Sequence, residues 1–102
     1  MARAILIKEG RCDINEIDLD IDPSKNEIVK LLLGRPTFIG QWPEIDVVIL
    51  KAESGHVRRN KHILPEPFTE EETFGPILLV RMDHNSDPQD FTLREYNLFR
   101  GW

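Results

Sequence analysis

Only one cysteine, Cys12, occurs in the 102-residue chain, so no intramolecular disulfide can form and no thiolate cluster can hold zinc. Long apolar runs are missing too. Uninterrupted stretches such as Leu31 to Leu33 and Ile77 to Val80 fall far short of the roughly 20 residues that cross a bilayer. Near the N-terminus, Ala4 to Ile7 is cut off by Lys8 and is too short for the apolar region of a secretory signal, so the expected location is the cytoplasm. There is no glycine-rich phosphate loop, internal repeat, linker or low-complexity tract. Basic residues are in the minority, with 13 Lys and Arg against 18 Asp and Glu for a net charge of −5, which opposes nonspecific attraction to phosphate backbones. These shortages exclude a helical membrane protein, a disulfide-built secreted scaffold and a strongly basic nucleic-acid binder. A domain averages about 100 to 200 residues, so residues 1–102 are expected to form a single one.

What is present reads as alternating short segments punctuated by 7 prolines and 6 glycines. Ala4 to Ile7 is apolar, and Ile17, Leu19 and Ile21 alternate with Asp18, Asp20 and Asp22 at the period of a half-buried strand. The glycine-containing turn between them predicts a hairpin. Ser24 and Glu27 match a capping box, Ile28, Leu31 and Leu32 give a helical stripe, and Gly34 with Pro36 would end a helix of about three turns. Ile45 to Leu50 predicts a central strand, Val57 and its basic neighbours an exposed one, and Ile77 to Met82 another strong strand. Thr69 to Glu72 repeats the box without an apolar stripe behind it. In the last helix, Thr92 and Glu95 complete a box and Phe91 is placed to staple onto Tyr96. The fold class expected is α+β: a mainly antiparallel sheet of four to five strands with two short helices on one face, in the order β-β-α-β-β-β-α.

Few motifs carry chemistry. Asp83, Asn85 and Asp87 match the start of a calcium loop, but Pro88 stands where the bend needs glycine and Arg94 where a bidentate Glu should be, so a polar surface turn is the reading. His56, His62 and His84 lack metal-ligand spacing, although His56 and His62 lie an even number of residues apart and could share a strand face. No metal or cofactor is expected. No nucleophile, base and orienting acid are recognisable together, so no catalytic residue is assigned and the chain is read as a non-enzyme. Charge, however, is segregated. Five acids and no lysine or arginine lie between Cys12 and Asp22, Glu66, Glu70, Glu71 and Glu72 form a second acidic run, and Glu53 to His62 between them is basic. Its His56, Arg58, Arg59, Lys61 and His62 are the candidate residues for binding a partner or an anion, because guanidinium groups contact anions bidentately. A simpler account has the basic segment neutralising the acidic ones within the molecule. Trp42 and Trp102 are candidate aromatic contacts, each with packing against the body as its alternative.

The succession of Ile28 to Gly34, Asp46 to Leu50, Glu53-Ser-Gly55, Asn60 to Pro65 and Phe74 to Val80 resembles a family of small uncharacterised α+β domains found in bacteriophages, mobile elements and large DNA viruses of algae. The resemblance spans roughly residues 4 to 99 as an order of elements. It implies a viral or mobile-element accessory protein acting inside a host cell, and carries no catalytic residues with it. The run from Leu64 through Pro67 into the glutamates departs from the shorter loops of the phage members.

The expected function is therefore a protein-interaction module that engages a protein partner through Arg58 and Arg59, with the Glu66 to Glu72 loop as a second surface, or that self-associates through its sheet edges. The alternative is a binder of a small anionic ligand such as a nucleotide, in a pocket where His56, Arg58 or His62 faces Trp42. Neither nucleic acid nor membrane is an expected partner.

Overall fold

The computed structural model describes residues 2–10 and 12–101. Strand β1 (Ala2–Ile7) and strand β2 (Ile14–Leu19) form the expected hairpin, in register from Ala2 opposite Leu19 to Ile7 opposite Ile14. A second hairpin joins β3 (Pro36–Trp42) to β4 (Val47–Ala52), with a bulge between Phe38 and Gly40. Strand β7 (Ile77–Met82) inserts between the two hairpins, giving the antiparallel order β2-β1-β7-β4-β3. The short β8 (Pro88–Gln89) adds to β7, and β5 (Arg59–Asn60) pairs with β6 (Thr73–Phe74) as a separate ribbon. The α+β class and antiparallel sheet are as the sequence predicts.

The middle strand is β7, not the Ile45 to Leu50 segment. Ile77, Leu78, Leu79 and Val80 are all buried, whereas Val48 and Leu50 of β4 are half-buried. A strand covered on both faces must be apolar at every position, and β7 meets that condition further than β4. Strand β3 lies at the sheet edge, and its first residue is Pro36, a residue that can donate nothing to a ladder.

The two helices lie on opposite faces of the sheet. Helix α1 (Glu27–Leu32) puts Leu32 against Ala4, Leu6, Leu78 and Val80, while α2 (Leu93–Phe99) puts Tyr96 against Ile5, Ile7, Ile77 and Leu79. Successive strand residues point to opposite sides, so these alternating sets face different helices. Both faces of β1 and β7 are apolar and each must be covered, which two helices on one face could not do.

Local signals fared differently at the two helices. At α2 the Thr92 hydroxyl accepts from the Glu95 amide at 3.2 Å, the Glu95 carboxylate accepts from the Thr92 amide at 3.3 Å, and Phe91 meets Tyr96 edge-on at 6.1 Å between centroids. At α1 the Ser24 box does not form. Asp22 instead accepts from the Ser24 amide at 3.0 Å and caps a single 3-10 turn that starts at Pro23, and Glu27 accepts from the Asp20 amide at 3.2 Å. Proline at the first position is pre-set for that turn and takes the start signal away from Ser24. The helix is 6 residues long, and its left-handed end falls on Leu33, with φ of 56°, rather than Gly34.

Because the faces are separate, Leu32→Ala and Phe91→Ala should each destabilise by about 2–5 kcal/mol and add to within ~0.5 kcal/mol in the double variant. Urea denaturation measures this, and a strongly non-additive pair would mean that the two side chains share one core.

Candidate functional site

The basic segment is held to the sheet through one buried amide. Asn60 is 3% exposed and its Nδ2 donates to the Ile7 carbonyl at 3.1 Å and the Gly75 carbonyl at 3.0 Å. Its Oδ1 accepts from the His62 amide at 3.1 Å. On one side of this anchor Arg58 and Arg59 are exposed on the ribbon, with Arg59 opposite Phe74. On the other side, Lys61 and His62 turn towards the hollow under α2.

The candidate residues therefore divide. Nε2 of His56 donates to the Leu32 carbonyl at 2.9 Å, and its ring lies against Gly75, where a Cβ would come within 2.5 Å of it. Glycine there, with φ of 78°, leaves the ring its place. His56 thus ties the end of α1 to the turn before β7. His62 lies elsewhere, its Nε2 donating to the Gly10 carbonyl at 2.8 Å, so the two histidines share no face. Trp42 is fully buried among Phe68, Tyr96 and Phe99, and its indole donates to the Glu66 carbonyl at 3.0 Å. It is core, and neither a partner contact nor the wall of a pocket facing His56 or Arg58. Trp102 lies outside the described residues.

The simpler account of the charges, mutual neutralisation, is not met. Among the described residues, Arg58, Arg59 and Lys61 have no carboxylate within 4.0 Å, and the exposed Glu66, Glu70, Glu71 and Glu72 have no cation within that distance. Ion pairs among the described residues lie elsewhere, as in Arg3 with Glu16, Lys25 with Asp20 and Arg81 with Glu95. Around the ribbon, Val57 is 96% exposed, and Phe74, opposite Arg59, is also exposed.

A cleft of about 680 Å³ opens where the β1–β2 turn, residues 61–69 and α2 meet. Ile14, Ile63, Leu64, Pro65, Leu93 and Tyr96 line its apolar part. Lys61, His62, Asn97 and Arg100 supply the polar edge, and Cys12 and Thr69 complete it. Arg100 is oriented by Asn97, whose Oδ1 accepts from Nε at 3.1 Å and Nη2 at 2.8 Å, and its guanidinium stacks 5.0 Å above the Tyr96 ring. Burial pushes the Tyr96 phenol above its ordinary value, with Arg100 acting in the opposite direction. A smaller hollow of about 340 Å³ shares Cys12, Lys61 and His62. The cleft escaped sequence reasoning because its lining comes from three separated segments. Of its lining, only Lys61 and His62 are among the binding candidates that the sequence offers.

The cleft's far wall is pinned by charge. Glu16 accepts from the Leu93 amide at 2.7 Å and pairs with Arg3. Arg81 reaches Glu95 at 2.6 Å and the Ile45 carbonyl at 3.0 Å, joining α2 to β7. Burial acts to raise the Glu95 carboxyl, and the Arg81 and Thr92 hydrogen bonds outweigh it, leaving it below its usual range. The calcium-like segment is a surface turn. Asp83 accepts from the Asn85 and Asp87 amides at 2.8 and 3.0 Å, which holds its carboxyl low.

The fold and surface define a small α+β domain that offers two basic features on an acidic body. Residues 5–99 match a family of unknown function, DUF5880, and the chain belongs to that family. No curated protein and no solved structure matches the chain.

The Leu93 amide, followed by Arg3, holds the Glu16 carboxyl below its ordinary value of 4.5. A lowered folded value gives stability that is present above 4.5 and lost as pH falls through the folded value. Wild type should therefore melt higher than Glu16→Gln at neutral pH, and the two melting curves should converge in acid. Thermal melts across pH check this, and a constant gap between them would contradict it.

Proposed function

We propose that the chain is a non-enzymatic interaction module whose β5–β6 ribbon engages an acidic segment of a protein partner. The observation that carries this is the pair Arg58 and Arg59, exposed and without a carboxylate within 4.0 Å among the described residues, on a chain of net charge −5. The acids of the chain are arranged so that these cations remain available to an outside anion. Guanidinium groups grip carboxylates in a planar fork, and exposed Val57 and Phe74 supply apolar contact beside them. A second copy offering its exposed Glu70 to Glu72 run has the right charge, and light scattering at two concentrations separates self-association from a foreign partner.

The resemblance to domains of bacteriophages, mobile elements and large DNA viruses of algae supports an accessory role in the cytoplasm of a host cell. No helix among the described residues is long and apolar enough to cross a membrane, which accords with a partner met in the aqueous phase.

Charge-assisted hydrogen bonds contribute about 1.5–3 kcal/mol each, so Arg58→Glu/Arg59→Glu should weaken the partner complex by more than about tenfold. Affinity capture from a cell lysate, followed by titration of the recovered protein against both forms, measures it. Recovery of the same proteins at equal affinity by wild type and variant removes the ribbon from the account. A melt of the variant within a few degrees of wild type shows that the loss is one of contact and not of folding.

A further inference from the structure

We infer that the β5–β6 ribbon is a two-fold interface for a second copy of this chain, with the basic end of each ribbon laid on the acidic end of the other. This rests on the interaction reading and names its partner. Three observations converge. First, the ribbon carries both signs of charge in separate places. Arg58 and Arg59 stand at one end, where the Gly75 amide donates to the Arg58 carbonyl at 3.0 Å, and the exposed Glu70, Glu71 and Glu72 lead into β6 at the other. Glu72 precedes Gly75 by roughly 10 Å of extended chain, and among the described residues no ion pair closes that gap. Second, the ribbon turns one side to the body and the other to solvent: Asn60 and Thr73 lie opposite each other and are buried, while Arg59 and Phe74 lie opposite each other and are exposed. Third, Lys61, next in line after Asn60, lines the cleft and has no carboxylate within 4.0 Å among the described residues, so the glutamates keep their charge.

A patch with a positive end and a negative end is complementary to itself under a two-fold axis, because each contact of one residue with another is then made twice. With the axis near Phe74, Arg58 and Arg59 of each copy meet Glu70 to Glu72 of the other, and the two exposed Phe74 rings meet between them. A foreign acidic segment would satisfy the arginines alone and bring its charge against the glutamates of the same ribbon, a like-charge approach that costs affinity. Each copy carries a net charge of −5, so two copies hold together only where opposite charges face each other, and the ribbon offers that arrangement.

Light scattering of the full chain from about 10 μM to about 1 mM, the range in which a small interface assembles, should show the mass rising from 11.9 kDa towards twice that value. Arg58→Glu/Arg59→Glu makes the patch wholly acidic and Glu70→Lys/Glu71→Lys/Glu72→Lys makes it wholly basic, so each alone should associate at least about tenfold more weakly than wild type. An equal mixture of the two should recover association, since every facing pair is again of opposite sign, and that recovery shows both chains folded. The neutral variants Arg58→Gln/Arg59→Gln and Glu70→Gln/Glu71→Gln/Glu72→Gln serve where a reversed chain melts early: each should also associate less tightly than wild type, and mixing them should restore nothing. A wild type that stays at 11.9 kDa, reversed or neutral variants that associate as wild type does, or a mixture of folded reversed chains no tighter than its parts would each overturn the proposal. Affinity capture keeps the two claims apart. A monomeric wild type that recovers a protein lost by Arg58→Glu/Arg59→Glu overturns the two-fold interface and leaves the interaction reading standing, whereas a monomeric wild type whose recovered proteins match those of the variant overturns both.

Discussion

The side chain of Asn60 is where the proposed binding surface meets the fold. Its amide donates to the end of β1 and to the turn before β7, and its carbonyl oxygen takes the amide of His62. A buried amide with these bonds missing would leave two backbone carbonyls without donors, each at a cost of about 1–3 kcal/mol. One residue thus fixes where the chain leaves the ribbon and enters the cleft wall. Arg58 and Arg59 are held outward on one side of it, and Lys61 and His62 are held over the cleft on the other. The neighbouring histidines continue the same work, His56 to the end of α1 and His62 to the β1–β2 turn.

This arrangement explains how an acidic protein can present cations usefully. Isolated surface charges of opposite sign would contribute little by pairing with one another, so the fold gains little by neutralising them. Two of the ion pairs position α2: Glu16, paired with Arg3, also holds its first amide, and Arg81 joins Glu95 to the sheet. The charges with a structural task are satisfied inside the molecule. Those of the ribbon are left to solvent, and Lys61 at the cleft mouth joins them.

Much of the fold was legible in the sequence where the signal was local. The box at Thr92 with its Phe91 staple, the β1–β2 hairpin and the apolar run of β7 are each set by residues within a few positions of one another. Competition between local signals was harder to read, as where Asp22 and Pro23 displaced Ser24. Long-range placement was hidden altogether. Periodicity shows that Ile28 and Tyr96 each belong to an apolar face, but not that these faces lie on opposite sides of a sheet whose middle strand comes from late in the chain. The same limit applied to the site. The basic segment was visible as composition, yet nothing in the sequence set apart Asn60, which divides it, and Arg100 joined it only through the packing of α2.

Amide hydrogen exchange of Asn60→Ala against wild type tests the central claim most directly, since exchange reports the opening of local units separately from global unfolding. The account predicts faster exchange confined to residues 56–64 and 73–75, with β7 protected as in wild type. An unchanged pattern, or an acceleration spread evenly over the sheet, would contradict the claim that this one side chain holds the ribbon and the cleft wall in place.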